Sequence, residues 1–405
     1  MGIDRGEAIL ELAARAGLAQ IDPGGLAIGD SIAEIGRALG RLSNPQVELH
    51  DSAAIPGLSS RLVFGRQERR LADPLHLSGR PDCFTDGSPN AESPDFRVLE
   101  LPEWHVCHFP DVPLVVSPDG DLIAVDLGSR YAGLVHFYDT PLRRVLADAI
   151  HVEGTVVLLG DDVRPLNYGH WLLDWLPRLA FLGEQARRSD VFVAVPYLPA
   201  WYPWAALRLA GFPPERVIQL DMMQALRARR LLVPNDLRVP PHPGHKAAPW
   251  VLDFLRGSIG YGAFLDGIDA PARRKKLYIS RGDSSGRRVL NEAAMIAALA
   301  PYGYQPVTLG GMSLAQQIAA FSCASHIVAP HGAGLANIAF ADRSTTLVEL
   351  FPATYGTAAY YVLAAGLGMT YASYVAAQIS PGSRSQLDDF SVDMPDFLAR
   401  CRHLL

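Results

Sequence analysis

The rhythm of apolar and polar positions changes along this chain and predicts different elements in turn. Residues 1–45 read as helical, and residues 46–95, rich in Pro, Gly, Ser and Asp, read as irregular. Residues 96–150 read as short strands. Within them "PLVVSPDGDLIAVDLGS" is two apolar runs joined by Pro-Asp-Gly-Asp, which predicts a hairpin. From about residue 155 strands alternate with helices. "TVVLLG", "VFVAVP", "RVIQL" and "RLLVP" are strand-like, whereas "HWLLDWLPRLAFLGEQARR" and "AWYPWAALRLAG" are helix-like. The proline-heavy stretch Pro234–Pro249 reads as a linker or domain-crossing loop.

A second alternating block comes next. "KLYIS", "QPVTL", "HIVAP", "TLVELF" and "TYASYVA" are its strands. Asn291 is placed to cap one intervening helix, with Glu292 in its first turn, and Ser313 with Gln316 fits a capping box on the next. Strands separated by helices of this length predict right-handed βαβ units and parallel sheets. The expected fold class is therefore α/β, with two Rossmann-like, doubly wound domains facing across a cleft and an N-terminal helical and β extension. The extension covers residues 1–95. The N-terminal Rossmann-like block, with its leading hairpins, covers 96–248. The C-terminal block covers 249–378, and a tail with a helix covers 379–405.

Composition narrows the class of function. Of 405 residues, 49% are hydrophobic and 19% charged, as in an ordinary globular protein. The net charge of −6 argues against a nucleic-acid partner. Four scattered cysteines, Cys83, Cys107, Cys323 and Cys401, show no metal-finger spacing and suit a reducing compartment. The N-terminal "MGIDRGEAILELAARAG" has acidic residues inside its apolar run and reads as a helix, not a signal peptide. The uncharged tract from Leu350 to Ser383 is broken by Pro352, Gly356, Gly366 and Gly368, so it reads as a buried helix between strands, not a membrane span. The expected location is the cytoplasm.

Three places carry candidate chemistry. In "HIVAPHGAGLANIAF" a strand runs into His331, and Gly332, Ala333 and Gly334 lead into a helix. Such a loop lies at the carboxyl edge of a parallel sheet, where free helix N–H groups attract anions. A plain tight turn is the alternative. In "SRGDSSGRRVLNE", Arg281, Arg287 and Arg288 follow another strand at the same edge, with guanidinium forks that match phosphate oxygens. A solvated loop is the alternative here. Glu349 ends a third strand, as a hydroxyl acceptor or a salt-bridge partner, and Asn337 sits one turn into the helix after the glycines. In "NYGHWLLDWLPRLAFL", His170, Asp174 and Arg178 fall at about 0°, 40° and 80° around a helix flanked by tryptophans. This stripe lines a cleft or forms a structural Asp–Arg pair, and Pro177 predicts a kink. "DGD" at Asp119–Asp121 reads as a turn, and the histidine pairs His242/His245 and His105/His108 lack partners that would complete a metal set. Neither a P-loop nor an opening G-x-G-x-x-G is present.

Together "NYGHWLLDWLPRL", "LYISRGDSSGRRVLNE", "LAQQIAAFSCASHIVAPHGAGLANIAF" and "TLVELFP" resemble glycosyltransferase family 61, the DUF563 group, as a bacterial member, over roughly Val152 to Ala377. The resemblance implies a GT-B-like architecture and inverting transfer of a sugar from a nucleotide-sugar donor, UDP-linked among the options, to a hydroxyl of a glycan or lipid-linked acceptor. It implies no metal and no cofactor, a role in surface polysaccharide synthesis and peripheral contact with the inner membrane where the acceptor is a lipid. Donor and phosphate contacts fall to Arg281, Arg287, Arg288, His331, Gly332, Ala333, Gly334, Asn337 and Glu349. The acceptor side falls to Asn167 and Arg178. Asp174 is favoured as the base, with His170 orienting it or binding the acceptor, and the reverse assignment stays open. Two other readings compete: a non-catalytic sugar-nucleotide or glycan-binding component, and a Rossmann-type enzyme that modifies sugar nucleotides.

Overall fold

The computed structural model describes residues 48–50, 60–79, 81, 90–109, 112–119, 122–124, 142–160, 167–196, 198, 200–221, 224–237, 244–259, 274–378 and 387–405. The helix expected over 1–45, along with Asp121, His242 and Cys83, lies outside them. Two large sheets organise the described residues, beside a two-stranded ribbon of Gln67–Arg70 and Asn90–Ser93. In the first, parallel strands β1 (Ile150–Leu158), β2 (Val191–Pro196), β3 (Val217–Leu220) and β4 (Ala225–Pro234) run in the order β3-β2-β1-β4. Strand β4 also pairs antiparallel with Phe96–Pro102 and His105–Phe109, so the sheet is mixed. The expected hairpin is present: Val112–Val116 pairs antiparallel with Leu122–Ala124.

The second sheet holds β5 (Lys275–Ser280), β6 (Tyr304–Thr308), β7 (Ala324–Pro330), β8 (Thr346–Pro352) and β9 (Thr370–Gln378), all parallel, in the order β6-β5-β7-β8-β9. The short apolar runs of β7 and β8 are covered on both faces, as a parallel sheet requires. Leu347, Leu350 and Phe351 are fully buried, and each contributes about 1.5–3 kcal/mol by leaving water. The strand order reverses between β5 and β7, so the loops leaving these two strands diverge and open a crevice. The mixed α/β architecture with parallel sheets is compatible with the Rossmann-like expectation.

Helices that flank these strands include α1 (Trp201–Leu209), α2 (Glu292–Leu299), α3 (Leu314–Ser322) and α4 (Ala359–Leu367). The capping box at Ser313 and Gln316 forms as expected at the start of α3. The cap expected at α2 does not form. Asn291 instead spends its amide on the backbone of Val392, donating to its carbonyl at 2.7 Å and accepting from its N–H at 3.0 Å. The uncharged tract after Leu350 is strand, nine-residue helix and strand, and among the described residues no helix is long and apolar enough to cross a membrane.

Two further expectations need correction. The stretch 171–187 is not one α-helix. A π-helical turn, Trp171–Trp175, precedes a 3-10 segment, Leu176–Arg187, which is broken at Gly183 with φ 50°. Pro177 accounts for the widened turn, because its ring cannot tolerate a normal i−4 carbonyl contact. The stretch read as irregular carries strands. Ser60–Phe64 pairs with Phe96–Pro102 in the first sheet, whereas Leu75–Ser78 pairs with β9 in the second. The chain thus crosses from one sheet to the other and back.

Candidate active site

The site is built at the crevice between β5 and β7. Arg281 leaves the end of β5, and its Nη2 donates to Ser284 Oγ at 2.6 Å and to the Gly286 carbonyl at 2.9 Å. Its guanidinium lies flat against Gly332 in the neighbouring loop. A Cβ on Gly332 would come within 1.8 Å of Arg281 Nη1, so any larger residue there would push the guanidinium out of this position. Arg287 has φ 56°, which turns it back across the loop. Its Nε donates to the His331 carbonyl at 3.1 Å, and its guanidinium lies 5.1 Å from the Tyr355 ring centre. Burial, and then the neighbouring Arg287 cation, lowers the Arg281 pKa from the usual guanidinium value. Two cations held close and half dry favour an incoming anion. Arg288 points elsewhere: its guanidinium is taken up by Asp389 at 2.6 Å.

The glycine loop enters the 3-10 helix Ala333–Phe340, whose start has no side-chain cap. Gly332 and Gly334 line the crevice together with Arg281, at the N-terminal end of a helix whose first N–H groups attract anions. His331 and Glu349 are placed differently from expectation. Glu349 is fully buried; it accepts from His331 Nδ1 at 2.5 Å and from the Tyr371 hydroxyl at 2.7 Å. Both carboxylate oxygens are thus occupied within the protein, and Glu349 offers no open acceptor to a sugar. Asn337 is also fully buried. It accepts from the Tyr168 hydroxyl at 2.6 Å and donates to Gln317 at 2.9 Å, which ties the first half of the chain to the second.

Opposite this loop stands the turn Tyr168–His170. Asn167 caps it, accepting from the N–H groups of Gly169 at 2.9 Å and His170 at 3.2 Å. Gly169 touches the second half directly: a Cβ there would lie 3.1 Å from the Tyr360 hydroxyl and 3.7 Å from Ala333 Cα. His170 is thus carried to within a residue of the glycine loop. Its Nδ1 donates to Asp174 Oδ2 at 2.5 Å, with the proton placed on Nδ1 by the network. Asp174 is sealed, with no exposed surface, while the His170 side chain keeps 33% of its own.

The other oxygen of Asp174 meets partners that the sequence did not reveal. His245 Nε2 approaches it at 2.8 Å, and the Lys246 ammonium pairs with the same atom. Burial would raise the Asp174 carboxyl, but Lys246 and the hydrogen bonds from His170 and His245 outweigh it and hold the group well below the usual carboxylate range. Burial, and then the Lys246 cation, pushes His245 down to about 4, so it is neutral near pH 7. Its Nδ1 is buried without a partner, which fits an unprotonated nitrogen better than an N–H. Arg178 does not extend the polar stripe. Its Nε donates to the Asp174 backbone carbonyl at 3.0 Å, its Nη2 pairs with Asp236 at 3.1 Å, and it is buried rather than open to an acceptor.

The other motifs have local explanations. Asp119 accepts from the Ser117 hydroxyl in the hairpin turn, and His105 Nδ1 meets the Ser117 carbonyl at 3.3 Å. Among the described residues no group of three or more His, Cys, Asp or Glu is arranged to hold a metal ion.

No functionally curated protein matches the chain. A family model does: that of Glycosyltransferase 61, over residues 168–348. The matched span opens on the turn that carries His170 and closes within β8, so it takes in the buried Asp174 pair, the arginine loop and the glycine loop. The match supports glycosyltransferase 61 as the family to which this site relates.

Proposed function

We propose that this chain transfers a sugar from a nucleoside-diphosphate donor to a hydroxyl of a glycan or lipid-linked glycan, with inversion at the anomeric carbon. The observation that carries this reading is the meeting of two unlike surfaces at Gly169 and Ala333: a partly exposed histidine backed by a buried carboxylate, and a glycine loop flanked by two arginines. The family match supports glycosyltransfer in general terms.

In this reading the donor diphosphate rests on Arg281, Arg287 and the amides at Gly332–Gly334. The acceptor hydroxyl loses its proton to His170 Nε2 as its oxygen attacks the anomeric carbon from the face opposite the diphosphate. The bond from that carbon to the phosphate oxygen breaks, and the electron pair leaves with the diphosphate. The two guanidiniums and the amides meet the charge that develops, in place of the divalent ion other transferases use. Asp174 acts behind His170. It is ionised, sealed from solvent and saturated with donors, so it cannot reach a substrate hydroxyl, but it holds the imidazole tautomer and stabilises the imidazolium. This reverses the assignment favoured from the sequence, where both residues were candidates. Synthesis of a bacterial surface polysaccharide is the setting proposed for the reaction.

The test is a panel of uridine, guanosine, cytidine and thymidine diphosphate-sugars, screened by melting temperature and then offered simple glycoside acceptors. A donor at ~100 times its Kd adds ~2.7 kcal/mol of stability. The product's anomeric configuration, read by NMR, should be opposite to the donor's. A panel that leaves the melting temperature unmoved, or a product with retained configuration, would sink the reading.

A further inference from the structure

A pocket of about 280 Å³ lies beside Arg281, on the β6 side of the crevice. Its floor comes from the C-terminal sheet: Arg281, Asp283 and Ser284 after β5, and Gly310 after β6. Its roof comes from the other half: Tyr168, Trp201 and Tyr202, which follow the carboxyl ends of β1 and β2. The volume is at the small end for ligand sites and suits one ring system with its ribose better than a whole nucleotide sugar.

The roof has an unusual composition for a surface. Trp201, the first residue of α1, is 45% exposed. It stands edge-on to Tyr202, with centroids 6.0 Å apart at 84°, and Tyr202 stands edge-on to Tyr168 at 5.3 Å and 82°. The three rings form a corner above a floor that mixes Arg281, Asp283 and Ser284 with Ile279 and Leu309. Tyr168 is anchored by its hydroxyl to Asn337, and it lines the pocket while His170, two residues along the same turn, does not.

This placement orders the donor along the crevice. A nucleotide sugar is linear, with its base and ribose at one end of the diphosphate and its sugar at the other. With the diphosphate on Arg281 and the anomeric carbon beside His170, the base end falls on the opposite side of Tyr168. We propose that Trp201 and Tyr202 stack on the nucleobase of the donor in this pocket, so that the half of the chain bearing the base catalyst also grips the nucleotide. The assignment rests on the donor reading above and adds to it a part of the substrate and the residues that hold it.

Calorimetric titration of the full chain with UDP, GDP and inorganic pyrophosphate tests it, on wild type, Trp201→Ala and Trp201→Phe. Trp201 lies at the surface, so neither substitution opens the core. Base stacking predicts that Trp201→Ala weakens the preferred nucleoside diphosphate on the order of tenfold, that Trp201→Phe restores most of that affinity, and that pyrophosphate binding is unchanged. Three results overturn the assignment and leave the donor reading standing: Trp201→Ala binding the nucleotide as wild type does, Trp201→Ala weakening pyrophosphate equally, or wild type binding pyrophosphate as tightly as either nucleotide. Wild type that binds none of the three overturns the donor reading with it.

Discussion

Each half of this protein holds a histidine against a buried carboxylate with the same geometry. In both pairs Nδ1 lies 2.5 Å from the carboxylate oxygen, and in both the carboxylate has no exposed surface. The surroundings differ. His331 is packed against Phe351 with ring centres 5.1 Å apart, and its side chain keeps 5% of its surface. His170 keeps 33%. The carboxylate behind His331 has the neutral hydroxyl of Tyr371 as its other partner, whereas the one behind His170 has an ammonium and a second imidazole. One pair is a pin that fixes the end of β7 to β8. The other has the exposure and charge support that a proton carrier needs. A histidine–carboxylate contact is therefore no sign of catalysis by itself; access and the far side of the carboxylate decide.

The largest effect should separate the two histidines. His170→Asn is expected to lower turnover about 10²–10⁴-fold with the melting temperature nearly unchanged, the range for losing a general base. His331→Asn should do the opposite, costing about 1–3 kcal/mol of stability for a buried group left unsatisfied. Parallel assays and melts would undo the comparison if both variants behaved alike. Next in size is the charge balance behind His170. Lys246→Met leaves the Asp174 carboxylate buried without its cation, and about 3–5 kcal/mol of stability should be lost, measured by urea unfolding. A loss under ~1 kcal/mol would mean that Lys246 does not stabilise the anion.

The last effect is a pH slope. His245 is held at about 4 in the folded protein against an ordinary 6.5. Below pH 6.5 the unfolded chain takes up a proton that the folded one refuses until about pH 4. Stability is therefore full above that window and falls as the solution is acidified through it, by roughly 3 kcal/mol. Asp174, whose carboxyl is also lowered, extends the loss in the same direction at still lower pH. Urea titrations across the window should show this slope, and His245→Gln should flatten it.

How much could be read in advance depended on how local each signal was. The Ser313–Gln316 box acts within one turn, and it formed as expected. The β5–β9 strands announced themselves because short apolar runs between helices have few other uses. Arg287 and Arg288 could not be told apart as neighbours on a polar loop. The positive φ of Arg287 sends one toward His331, and Asp389, 101 positions later, captures the other. Lys246 was invisible as a partner of Asp174, since 72 positions separate them and nothing in the "HPGHK" run signals a buried charge. Pro177 signalled a kink, but only the folded turn shows that it swings Arg178 out of the stripe and onto Asp236.

The strand Leu75–Ser78, bound along β9 while Ser60–Phe64 and Phe96–Pro102 sit in the other sheet, has a consequence for anyone who would recombine this chain with another. The two sides of the crevice are not interchangeable cassettes. A chimera spliced in the proline-rich stretch near residue 240 would import a foreign strap or none, and it would leave β9 with a bare row of amides and carbonyls ready to recruit a neighbouring molecule.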